Sequence, residues 1–523
     1  MMKNLFLITL SFCLLLSGTN YYSQSIDKEV TFELDKKAKR GKLANVEIDS
    51  QGNYKLYYIT KTKSKKIKFQ IYTFDPNFSF LGKVDDELEL EKVKSKYSWF
   101  NFKGELYSVV GISLNWNPAM PLKLKKKETS YHYDWLLLGY HKRVKVLEKV
   151  KPRTDDGMKY FAKGYFEDDV TGDIYIIVGV APGLVSKEAG AQYTDLRLIK
   201  FDWDLNKVAE TKIPFEYGQE VAFAKGFAEP DPENPTAVGF SGGVVVFAPT
   251  KVKGLDIPVD ENKGNFTFVE FDKDLNIITR ESFDNPSPGW TIEDMQWAEN
   301  SDGKKDIYLY GPAAFGKDKY YLYAKDAAKK KSIQVMKVSS SKVEYLTETT
   351  LEDIEAVKTM PADNKKTTDY NGKVKPSFNF TQLSSGNILL YGQYYNEGKP
   401  SDYMALEFDN SGKLVANYTR NMETKIKVPF TCVNSVSETS NGVYWISYEA
   451  EGDETTKYIV PVITKLDTKA KKVNDPMVLG KDGKKQLYYV DPSYPLLNIS
   501  QTQQVYFGSD KKGKNIWFCR VNL

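Results

Sequence analysis

Gly172-Asp173-Ile174-Tyr175-Ile176-Ile177-Val178 and, shortly after, Leu198-Ile199-Lys200-Phe201-Asp202 decide the fold. The first is a small polar turn that runs at once into an apolar strand; the second is an alternating strand that stops at an aspartate. The opening pattern recurs at Gly52-Asn53-Tyr54, Gly104-Glu105-Leu106 and Gly243-Val244-Val245. It returns at Gly303 before Ile307, Gly386 before Ile388, Gly442 before Val443, and without glycine at Gln504-Val505-Tyr506-Phe507. The aspartate ending returns at Phe74-Asp75, Phe271-Asp272, Phe408-Asp409 and Leu466-Asp467. Glycine supplies positive φ, and aspartate hydrogen-bonds the backbone two residues on, so both mark tight turns. Steps of roughly 50 to 80 residues between copies mean an array of supersecondary units, none of which buries its apolar face alone.

Each unit reads strand, tight turn, strand, longer loop, strand, aspartate turn, strand. Four short antiparallel strands with no helical periodicity describe one blade of a β-propeller. The fold expected is all-β, with eight four-stranded blades; seven is the alternative, because residues 95–150 lack a clear Phe-Asp turn. Val30-Thr31-Phe32-Glu33-Leu34-Asp35 alternates like a strand ahead of the first unit, and the last unit has only three strands. The leading strand is therefore expected to complete the last blade and remove two open sheet edges. A row of β-sandwiches is the rival, but those need about 100 residues each.

Composition agrees with a large all-β chain: 35 Tyr and 28 Phe suit half-buried pleated surfaces. The 73 basic and 69 acidic residues nearly cancel, so charge gives no ground for a nucleic-acid partner. The cluster Lys123, Lys125, Lys126 and Lys127 reads as a solvated loop. Lys3, the apolar run Leu5–Leu16 and the small residues from Ser17 to Gln24 form a signal segment, residues 1–23, which implies export. Residues 24–523 then form one propeller domain, periplasmic, outer-surface or secreted. No stretch of the mature chain reaches the roughly 20 apolar residues of a membrane helix. Cys432 and Cys519 read as two isolated buried thiols.

The search for chemistry returns no complete motif. Gly239-Phe240-Ser241-Gly242-Gly243 has the nucleophile-elbow spacing, but a strand follows where a helix is required, and the two histidines, His132 and His141, both precede it. It is read as a hairpin turn. Asp202-Trp203-Asp204-Leu205-Asn206 and Asp272-Lys273-Asp274-Leu275-Asn276 begin like calcium loops but carry Lys207 and Ile277 where glycine is needed, so they too are hairpin turns. No catalytic residue, metal ligand or cofactor is assigned. The signal segment ending in Ser23-Gln24 and repeated turns such as Phe201-Asp202-Trp203-Asp204-Leu205 resemble uncharacterised secreted β-propeller proteins common in Bacteroidetes. That resemblance implies the fold and export, and carries over no site residue.

The loops between second and third strands are long: Ser113 to Ser130, Ala181 to Thr194, Pro249 to Asn265, and Pro312 to Lys330. They emerge on one face with the connections between units, and function concentrates on such loops. Trp116, Tyr217, Trp290, Glu293 and Asp294 are the candidate ligand-binding residues there. The poverty of histidine favours a non-catalytic binding or assembly protein whose partner is an envelope protein or a glycan. The alternative is a hydrolase or lyase of extracellular polysaccharide using Asp, Glu or Tyr from several blades.

Overall fold

The structure is a computed structural model that describes residues 24–523 apart from 63–65, 90–106, 116, 118–119, 135–138, 184–186, 231–237, 253, 259–264, 288, 301–302, 315–329, 375, 397–398, 425–432, 453–456 and 501. The signal segment, Trp116 and Cys432 lie outside the described residues.

The chain folds as successive antiparallel units, each with its first strand innermost. The first unit runs Lys42–Ile48, Tyr54–Thr62, Lys66–Phe74 and Phe80–Glu89. The third runs Lys159–Glu167, Ile174–Ala181, Asp195–Phe201 and Lys207–Pro214. The fourth follows with Gln219–Pro230, Val238–Pro249, Asn265–Asp272 and Ile277–Asp284, and the fifth with Asp294–Glu299, Lys305–Ala313, Ser332–Ser339 and Lys342–Thr350. The sixth is built from Pro376–Gln382, Ile388–Asn396, Tyr403–Phe408 and Leu414–Arg420. In the seventh, Val433–Thr439, Gly442–Gly452 and Lys457–Asp467 are followed by the short strands Lys472–Val473 and Met477–Val478.

The second unit shows three strands among the described residues: Tyr107–Leu114, Leu124–Asp134 and Gly139–Val150. Here the sequence reading needs correction, because Lys125, Lys126 and Lys127 lie in a strand and not in a loop. Leu124 is fully buried, and Lys126 is anchored by Asp204 at 2.9 Å with its ammonium 4.6 Å from the Trp203 ring. Lysines can lie within a sheet when their stems lie along apolar surface and their charges find partners.

The last unit contains Leu496–Ile499, Gln503–Asp510 and Asn515–Asn522, and the amino-terminal strand Ser25–Glu33 completes it. The register runs from Ser25 opposite Asn522 to Glu33 opposite Asn515. Tyr488–Val490 bridges the last two groups of strands into one ten-stranded sheet.

Packing between units makes this a β-propeller and not a row of sandwiches. Continuous apolar clusters join the second unit to the third, the third to the fourth, and so on to the last. A further cluster, with Leu56 and Phe74 against Phe507 and Phe518, joins the last unit to the first. Middle strands such as Ile174–Ala181, buried along their whole length, read as continuous apolar runs because both faces are covered.

One α-helix, Leu351–Ala356, interrupts the all-β pattern among the described residues; Thr350 and Asp353 form its capping box, and Ile354 enters the core. No helix among the described residues is long and apolar enough to cross a membrane.

Candidate functional site

The antiparallel order sends the tight turns of every unit to one end of the propeller. The second-to-third loops and the unit-to-unit connections go to the other, where each inner strand begins. Glu293 and Asp294, two of the residues singled out from sequence, sit there, at the start of the inner strand of the fifth unit.

Asp294 accepts from the Lys225 ammonium at 2.5 Å and from its neighbour's amide, Met295 N, at 2.8 Å. Its other oxygen accepts from the Gln296 carboxamide at 3.1 Å. Glu293 accepts the Phe378 amide of the sixth unit at 3.4 Å. One unit back, the same arrangement recurs. Glu220 lies second in the inner strand Gln219–Pro230 and meets Lys163 of the third unit at 3.0 Å. Lys163 is almost wholly buried, with its ammonium 4.0 Å from the Tyr193 ring. Carboxylates thus enter from the fourth and fifth units, and a lysine from the preceding unit neutralises each of these two pairs.

Tyr310 stands opposite Asp294 in the adjacent strand. Its ring is fully buried against Phe380. Burial first, then the nearby Asp294 and Glu293 carboxylates, pushes this phenol well above its ordinary pKa. Burial and Glu293 do the same to Tyr370, whose hydroxyl donates to Val374 O at 2.9 Å. Both rings keep their protons at neutral pH because phenolate is costly to hold without water beside a negative charge. The site therefore offers ionisable carboxylates and compensating cations. These are the parts of general acid–base chemistry.

Tyr217, in the connection leading to Gln219, is 39% exposed. Trp290 needs correction as a contact: it is completely buried in the core between the fourth and fifth units, and no face of its ring is open to a ligand. A large aromatic in a connection covers the core beneath it when that core would otherwise meet water. Lys163, Glu220, Lys225 and Tyr310 escaped the sequence reading. The available signal was an acid repeated at the start of successive inner strands, Gln219-Glu220-Val221 and Glu293-Asp294-Met295.

Ser241 belongs to the strand Val238–Pro249, not to a turn, and its hydroxyl is buried. Gly242, at φ 146°, packs so closely on the neighbouring strand that a Cβ would meet Phe271 O at 2.3 Å. No helix follows, so the elbow is absent. His132 and His141 stand opposite each other in paired strands of the second unit. Cys519 is a buried free thiol. Among the described residues, no group of three or more His, Cys, Asp and Glu could hold a metal ion.

Neither a protein-family model nor a curated protein sequence matches the chain. Solved structures similar to it include the GH43_1 enzyme from Xanthomonas citri complexed with xylose, at 11% identity and a TM-score of 0.23, covering 60% of this chain and 90% of that one. CoXyl43, a GH43 beta-xylosidase/alpha-arabinofuranosidase from a compost microbial metagenome, stands at 11% and 0.23, covering 61% and 94%. The NanB sialidase from Streptococcus pneumoniae stands at 8% and 0.27, covering 91% and 85%. These solved structures are enzymes, in contrast to the non-catalytic binding or assembly protein expected from the sequence. At these scores the likeness adds no residue and no chemistry to the site, which stands on its own geometry.

Proposed function

We propose that the chain is a hydrolase or lyase acting on an extracellular polysaccharide, with acid–base groups drawn from the inner strands of the fourth and fifth units. The observation that supports this reading is the set of carboxylates Glu220, Glu293 and Asp294, placed at the starts of successive inner strands on the loop-bearing face. Cleaving a glycosidic bond needs one group to protonate the leaving oxygen and another to take up a proton. In this reading the carboxylates supply both groups, one protonated and one ionised. Export through residues 1–23, as in the secreted propellers the chain resembles, belongs to the same proposal.

The test is release of reducing ends from a panel of neutral and acidic polysaccharides, with ultraviolet absorbance to separate unsaturated lyase products from hydrolysis. Asp294→Asn and Glu220→Gln are expected to lower turnover roughly a hundredfold, the scale of a lost acid or base. Ser241→Ala is expected to leave it unchanged. No release from any polysaccharide, or full activity in both site variants, overturns the reading.

A further inference from the structure

A second site lies where the ring closes. On the loop-bearing face, the segment Asp491–Tyr494 leans over the start of the first unit's inner strand. Tyr494 fixes it there, its hydroxyl donating to Asn45 Oδ1 at 2.8 Å. Beneath lies a cavity of about 690 Å³ between the last and first units, with Lys42, Tyr58, Asp491, Ser493 and Phe507 in its wall. That volume falls within the roughly 300–1,000 Å³ of small-molecule sites. It also lies three to four units away along the chain from the Glu220 and Asp294 strands.

The wall has hydrogen-bonding capacity to spare. Asp491 spends one oxygen on the amides of Ser493 and Tyr494, at 2.8 and 3.1 Å. Its other oxygen accepts no hydrogen bond among the described residues. Tyr58, 7% exposed, lines the same cavity, and its hydroxyl makes no hydrogen bond among the described residues. An unused donor and an unused acceptor in one cavity wall are available to a ligand. One acid, Asp491, stands against one base, Lys42, so the wall as a whole favours neither anion nor cation. Aromatic surface with balanced donors and acceptors suits a neutral, hydroxyl-rich ring.

We propose that this cavity binds a short neutral oligosaccharide, separately from the acid–base site. The ligand class follows from the wall alone, so the proposal stands whether or not the chain has catalytic activity.

The test is calorimetric titration of the full chain with cellotriose, maltotriose, laminaritriose and chitotriose. At least one trisaccharide is expected to bind the wild type and Asp294→Asn equally. Asp491→Asn keeps the turn through its carboxamide oxygen and is expected to bind roughly tenfold more weakly, the loss of one charged hydrogen bond. Ser493→Trp leaves the turn untouched, fills the cavity mouth and is expected to abolish binding. Failure of all four sugars to bind, unchanged affinity in both cavity variants, or loss of binding in Asp294→Asn alone overturns the proposal. Turnover lost in Asp294→Asn while trisaccharide binding persists separates this site from the catalytic one.

Discussion

The recurrent Phe-Asp-x-x-Leu turn places leucine where backbone geometry disfavours it. Leu205 and Leu275 have φ of 63° and 65°, a left-handed conformation that costs a non-glycine residue roughly 1–2 kcal/mol. Both side chains are nevertheless 1–3% exposed, in the cores beneath their turns. Burying a leucine contributes about 1.5–3 kcal/mol, enough to offset the strain. The aspartate does the rest: Asp272 Oδ1 takes the amides of Asp274 and Asn276 at 2.8 and 2.9 Å. Leu275→Ala is therefore expected to lower unfolding stability by roughly 2–5 kcal/mol in urea titrations. Leu275→Gly loses the same contacts but relieves the strain, so it should be no less stable than the alanine variant. A glycine variant clearly weaker than alanine would show that the turn is not strained.

Between elements, the sixth and seventh units are locked by an ion pair removed from water. Arg420, at the end of one outer strand, meets Glu449 at 2.9 Å, with side chains 3% and 0% exposed. The guanidinium also donates to Ser447 Oγ at 2.6 Å and lies 4.3 Å from the Tyr403 ring. The second oxygen of Glu449 takes the amides of Glu423 and Thr424 at 2.7 and 2.8 Å, holding the connection that leads into the next unit. Removing one partner strands the other charge in a low dielectric, so Glu449→Ala is expected to cost roughly 3–5 kcal/mol by urea unfolding. Replacing both residues by apolar ones of similar volume should recover much of that loss. A single variant as stable as the wild type would mean that water reaches the pair.

For the whole molecule, closure rests on one strand. Ser25–Glu33 is held by its ladder to Asn515–Asn522, by Trp517 Nε1 donating to Glu29 at 2.6 Å, and by Arg520 meeting Asp27 at 2.6 Å. The turn that follows is fastened by Asp35, which takes the amides of Lys37 and Ala38 at 2.9 and 3.0 Å and the Gln70 carboxamide at 2.8 Å. Deleting residues 24–33 would leave Asn515–Asn522 as an open edge, ready to pair with another chain. The truncated protein is expected to melt at a lower temperature and to scatter light on warming. An unchanged melting curve with no scatter would mean that the ring does not depend on this strand.

The units, their turns and the closing strand were legible in the sequence because they rest on local rules: glycine and aspartate at turns, and apolar runs in strands covered on both faces. Glu293 and Asp294 were legible as polar residues in a connection on the loop-bearing face. The lysine strand Leu124–Asp134 was not, because its lysines depend on partners distant in sequence, such as Asp204 for Lys126. Trp290 was misread for the complementary reason: an aromatic in a connection looks the same in sequence whether it faces solvent or the core under its own loop. Lys163 with Glu220, Lys225 with Asp294, and the cavity under Asp491 join residues 57, 69 and roughly 450 positions apart. Sequence alone set which segments form strands and where they turn, since a residue's neighbours along the chain dictate both. Only the tertiary structure decided which side chains meet at the mouth and at the seam, since ring packing brings together groups with no local relation.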